Sequence, residues 1–164
     1  MTQKMRSFGP VAAVLAAVWL CGAALPVRAQ PARPQISLAT APRIQPAELA
    51  ALLKAPASQR PLILHVGFEV LYRGAHIPGA IFVGPASRPE GLKLLRQRLA
   101  RIPRTREIVL YCGCCPWEKC PNIGPAYAEL IRAGFRRVRV LYLPNDFARD
   151  WVQQGLPVEQ GPPR

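Results

Sequence analysis

The chain has 164 residues with 22 Lys and Arg against 9 Asp and Glu, a net charge of +13, and half of its residues are hydrophobic. That length allows one domain with a full core, and the apolar content excludes wholesale disorder. The basic surface favours anionic partners, but no helix-turn-helix, zinc-finger or single-strand stacking motif accompanies it, so a nucleic-acid partner is not expected.

Residues 1–29 read as a secretory signal peptide. Lys4 and Arg6 form a positive start, Val11 to Leu25 an apolar run, and Val27-Arg28-Ala29 offers small residues where a signal peptidase cuts. The alternative is an uncleaved anchor, but the run of 15 residues is short for a span, which needs about 20. Bulky Leu20 before Cys21 argues against a lipoprotein signal. Cleavage after Ala29 leaves 19 basic residues against 9 acidic, or +10, and no stable membrane span. It also removes Cys21, so the four remaining cysteines all fall between positions 112 and 120. The expected location is periplasmic or secreted.

Residues 30–43, rich in Pro, Ala and Gln, read as a flexible leader, with order starting near Ile44. Gln45-Pro46-Ala47-Glu48-Leu49 has the Pro and the acidic residue of a first helical turn, and Leu49, Leu52 and Leu53 supply its apolar stripe. Strand-length apolar runs follow at Leu62–Val66, Ala80–Val83, Ile108–Tyr111 and Val138–Tyr142. Between and after them come helical patterns over roughly 90–101 (Leu92, Leu95, Leu99), 123–133 (Tyr127, Leu130, Ile131) and 147–154 (Phe147, Trp151), with Gly134 as the C-terminal cap of the second. Continuous apolar strands alternating with helices predict an α/β domain whose mostly parallel sheet is covered on both faces. Ligands bind such sheets at the carboxyl ends of the strands, where Cys112 follows Ile108–Tyr111.

Gly74-Ala75-His76-Ile77-Pro78-Gly79-Ala80-Ile81 resembles the G-H-I-P-G-A signature of rhodanese-like domains, with one residue inserted after Gly74. Ile108 to Cys112 resembles the family's strand ending in a catalytic cysteine. Ala133-Gly134-Phe135, a strand, Trp151 and Gly155-Leu156-Pro157-Val158 resemble its close. The likeness covers about 44–160, the single domain expected. It implies a five-stranded parallel sheet flanked by helices, and a sulfurtransferase or sulfur carrier. In that chemistry a sulfane sulfur passes from a donor such as thiosulfate to Cys112 as a persulfide, and then to a thiol or protein acceptor. Two departures stand out. The family's usual Asp-Val-Arg after the second strand is His65-Val66-Gly67 here, and the loop after Cys112 is several residues longer and lacks an arginine.

That loop reads Cys-Gly-Cys-Cys-Pro-Trp-Glu-Lys-Cys-Pro-Asn. A sulfur carrier needs a thiolate, and three sources are available to Cys112: inward loop amides, the positive end of the following helix, and Lys119, the loop's one cation. The same groups, Gly113, Cys114, Cys115, Trp117 and Lys119, are the expected binding site for a small anionic sulfur donor, with Trp117 excluding water. The cysteines leave alternatives open. Cys112 and Cys115 have redox C-x-x-C spacing, Cys114 or Cys115 with Cys120 would make a structural disulfide, and Cys112, Cys114, Cys115 and Cys120 together could hold a soft metal. The first and the last describe a thiol-redox or metal-binding module without sulfur transfer, and the second a non-catalytic interaction domain with stapled cysteines. The primary expectation is no metal, no cofactor and a monomer.

His65, at a strand's carboxyl end, reads as a hydrogen-bonded structural histidine, with a base or ligand role as the alternative. His76 reads as a turn residue. The arginines between 96 and 106 and between 132 and 139 read as solvated helix faces and ends, or as a patch for an acidic partner or membrane headgroups.

Overall fold

A computed structural model describes residues 36–163. The expected signal peptide lies outside the described residues.

Five strands, β1 (Arg43–Ile44), β2 (Leu62–His65), β3 (Ile81–Phe82), β4 (Ile108–Tyr111) and β5 (Val138–Leu141), form one sheet in the order β1-β5-β4-β2-β3. Every pairing is parallel, and β4 is central. Four helices pack on the sheet: α1 (Pro46–Leu52), α2 (Glu69–Gly74), α3 (Pro89–Leu99) and α4 (Ile123–Arg132). All four residues of β4 are buried. Alternate side chains of a strand serve opposite faces. Thus Ile108, Leu110 and Cys112 join the core under α3 and α4, while Val109 and Tyr111 join the core that holds Leu49, Tyr72 and Trp151.

Local chemistry sets the element ends. Pro46 and Pro89 stand in the first turns of α1 and α3 with Glu48 and Glu90 beside them, as a helix start favours. Gly134, at φ +87°, turns the chain out of α4 while the Phe135 N–H donates to the Leu130 carbonyl. Arg96 grips Glu129 with two hydrogen bonds, tying α3 to α4, and Arg139 binds Glu48 and Glu107. Part of the basic surface is thus internally paired.

Three regions differ from the sequence expectation. Within the leader expected over 30–43, Leu38–Thr40 form a 3-10 turn, Ala41 is buried, and Arg43 already pairs in β1. Helix α2 had no sequence signal, because its six residues bury only Tyr72. The pattern over 147–154 resolves into a wide π turn at Ala148–Val152, anchored by Trp151, whose indole N–H donates to the Pro157 carbonyl.

No helix among the described residues is long and apolar enough to cross a membrane.

Candidate active site

Cys112 leaves the carboxyl end of β4 with its side chain buried. Its loop then runs through a 3-10 turn at Trp117–Lys119 to α4. Gly113 makes the first bend possible: its φ of +84° suits glycine, and a Cβ there would lie 2.7 Å from Phe147 Cβ. The Phe147 N–H donates to the Gly113 carbonyl, and the Trp117 N–H donates to the Leu143 carbonyl. The segment after β5 therefore holds the loop at two points.

These constraints gather the thiols. The Sγ of Cys114 lies 3.3 Å from that of Cys112, 3.0 Å from that of Cys115 and 3.8 Å from that of Cys120. The Sγ atoms of Cys112, Cys114 and Cys120 all lie within 4.8 Å of one another. All four cysteines are free thiols, so the structural disulfide weighed for Cys120 is not formed.

The acidities separate. Cys120 is lowered to about 6, first by its hydrogen bond with Cys112 and then by the backbone N–H groups of Asn122 and Ile123, against the cost of burial. Cys112 is raised by its hydrogen bond to Cys120, by burial and by the Cys120 charge. Burial and the Cys114 thiol push Cys115 up to about 12. The hydrogen bond from Cys112, and after it the amides at the start of α4 that were expected to serve Cys112, thus stabilise a thiolate at Cys120, and Cys112 keeps its proton.

Asn122 is the partner that sequence reasoning missed. It is fully buried ahead of α4, donates from Nδ2 to Cys112 Sγ at 3.3 Å, and accepts the Ser87 N–H on Oδ1 at 2.9 Å. Its place before an apolar helical pattern was the available signal, but that marks a helix cap and says nothing of a sulfur partner ten residues back.

Cys112, Gly113 and Cys114 line a cavity of about 450 Å³, together with His65, Asp146, Phe147 and apolar residues such as Val70, Leu71 and Val152. Among the described residues no lysine or arginine lines it. Lys119, expected to bind the donor, is exposed on the 3-10 turn and absent from this lining. Cys115 and Cys120 instead line, with Cys112 and Trp117, a void of about 10 Å³ on the inner side. Trp117 is buried beneath the loop, with the Arg43 guanidinium 5.2 Å from its ring centroid, so it supports the loop from within.

His65 packs edge-on to Tyr72 and Tyr111 and stacks on Phe82. Its Nδ1 is buried without a hydrogen-bond partner, while the ring is hydrogen-bonded to the Cys112 backbone. Burial lowers its pKa to about 4, opposed by the Cys112 backbone, so the ring is neutral at pH 7. His76 is structural in its contacts: its ring stacks on Tyr72, Nδ1 meets the Tyr72 carbonyl at 2.7 Å, and its backbone bridges Glu159.

The family model for the rhodanese-like domain matches residues 45–143. Among curated proteins none matches the chain. The rhodanese-like domain of an Anabaena protein superposes with a TM-score of 0.53 at 24% identity, covering 73% of this chain and 79% of that one. A Bacillus halodurans protein superposes with a TM-score of 0.56 at 22% identity, covering 73% and 77%. A thiosulfate sulfurtransferase from Pseudomonas aeruginosa is 31% identical with a TM-score of 0.53, over 74% of this chain but only 20% of that enzyme.

Proposed function

The chain belongs to the rhodanese-like domain family, and on that footing we propose that it is a sulfurtransferase or sulfur carrier that forms a persulfide on Cys112. The observation that carries this reading is the position of Cys112 at the carboxyl end of the central strand, opening on the 450 Å³ cavity and hydrogen-bonded to Asn122. A small sulfane-sulfur donor such as thiosulfate enters there. As the Cys112 sulfur attacks the donor's outer sulfur, the proton it shares in the hydrogen bond with Cys120 moves to Cys120, and sulfite leaves with the bonding electron pair. Cys120 acts as the base in that step, its charge held first by the hydrogen bond from Cys112 and then by the backbone amides of Asn122 and Ile123. The signal-like sequence of residues 1–29 supports a periplasmic or secreted location, which N-terminal sequencing of the protein from cell fractions tests.

The decisive experiment is the release of sulfite, with intact mass, after the reduced protein meets thiosulfate. Sulfite release from the parent and none from Cys112→Ser supports the reading, and equal release from both overturns it.

A second reading, a soft-metal module, draws on the three Sγ atoms within 4.8 Å of one another, a spread compatible with metal–sulfur bonds of about 2.3 Å. Metal analysis of protein purified without chelator separates the two: a stoichiometric soft metal that blocks sulfite release favours the module.

A further inference from the structure

Resting on that reading, we propose that Cys114 resolves the Cys112 persulfide within the same molecule, releasing hydrogen sulfide and leaving a Cys112–Cys114 disulfide. Three observations carry it. Cys114 Sγ stands 3.3 Å from Cys112 Sγ. Cys112 and Cys114 are the two cysteines that line the donor cavity, whereas Cys115 and Cys120 line the inner void. Both thiols are free.

The step balances without a further reagent. Cys114 Sγ bonds to Cys112 Sγ as the bond from Cys112 Sγ to the sulfane sulfur breaks. The sulfane sulfur leaves with the bonding pair as hydrosulfide, and the proton shed by Cys114 completes hydrogen sulfide. Over both half-reactions two cysteine thiols and one thiosulfate become one disulfide, one sulfite and one hydrogen sulfide. Two electrons pass from the thiols to the sulfane sulfur.

Proximity makes this path compete with any external acceptor. An intramolecular thiol at contact distance has a high effective concentration, and thiol–disulfide exchange proceeds by attack of this kind. An outside thiol must reach Cys112 through a cavity that Cys114 already lines. The product disulfide then requires a dithiol reductant before the next turnover.

The test follows sulfite, sulfide and intact mass after reduced, desalted protein is mixed with thiosulfate. The expected result is a burst of sulfite, an equal amount of sulfide, a protein lighter by two hydrogen atoms, and a peptide linking Cys112 to Cys114. In Cys114→Ser, and in Cys114→Ala as the second variant, whatever sulfite is released is no longer matched by sulfide, and the protein keeps one added sulfur atom for each sulfite released. A parent that releases sulfite yet retains the added sulfur overturns the resolution and leaves the persulfide reading standing. Undiminished sulfide from both variants also overturns it. Absence of sulfite from the parent overturns both. The stoichiometry and disulfide map of the parent decide the matter even if a variant fails to fold.

Discussion

Gly67 faces Cys112 so closely that a Cβ at position 67 would stand 2.7 Å from Cys112 Sγ and 3.0 Å from the Cys112 carbonyl oxygen. This is where the family usually places the arginine of Asp-Val-Arg, and here the position leaves room for sulfur. Gly67→Ala is therefore expected to destabilise the fold by about 1–3 kcal/mol, the usual cost of overpacking, and to slow sulfite release at least several-fold. Chemical denaturation and the thiosulfate burst measure the two effects. Normal stability with normal sulfur uptake counts against a tight Cys112 site.

Sulfite release should depend on pH through Cys120. Its folded pKa of about 6 lies below the ordinary thiol value, so the thiolate that accepts the Cys112 proton is present above that pH and lost below it. The burst rate is expected to level off above pH 7 and to fall about tenfold per unit well below pH 6. A midpoint near the free-thiol value would show that Cys112 ionises without Cys120.

His65 makes the fold sensitive to acid. The unfolded chain binds a proton there below about 6.5, whereas the folded ring does so only below about 4. Stability therefore falls as pH drops through that window and the contribution levels off beneath it, by a total of about 3 kcal/mol. His65→Phe, which suits the surrounding rings, should remove that part of the slope. Urea titrations at pH 7 and pH 4 check the difference, and parallel curves for parent and variant contradict it.

Asn122→Ala strips a donor from Cys112 Sγ and leaves the Ser87 N–H without its acceptor. The expected cost is about 1–3 kcal/mol, together with slower sulfur uptake. Thermal unfolding and the sulfite burst test the two roles. Lost stability with an unchanged burst would make Asn122 only a loop brace.

Among the described residues Asp146 is the one carboxylate lining the donor cavity, where it also accepts the Arg149 N–H. Asn keeps that capping ability and removes the charge. Asp146→Asn should raise kcat/KM for dianionic thiosulfate several-fold and change little for an uncharged persulfide donor. An equal effect on both donors would indicate a change of shape rather than of charge.

The sheet was legible because β2, β4 and β5 are continuous apolar runs, which only two-sided burial requires, and because Gly134 and the two helix-starting prolines punctuate the helices. Helix α2 escaped notice because a six-residue element with one buried side chain leaves no periodicity to read. At the site, the position of Cys112 followed from strand logic alone. The division of labour among the thiols did not. It depends on which sulfur meets the amides of Asn122 and Ile123, and that depends on how the 3-10 turn at Trp117–Lys119 returns Cys120 beneath Cys112. Lys119 drew attention as the loop's one cation, yet the same turn leaves it exposed.

The two main-chain bonds from the segment after β5, to Gly113 and from Trp117 to Leu143, fasten the cysteine loop like a pair of clasps. Only Cys114, Cys115 and Pro116 lie between the clasped residues. Thiols can be added, removed or reordered in that short span while Cys112 keeps its seat on the sheet. The scaffold and the sulfur array are thus separable inventions: one domain frame can be retuned among sulfur chemistries by editing a few residues held between fixed ends.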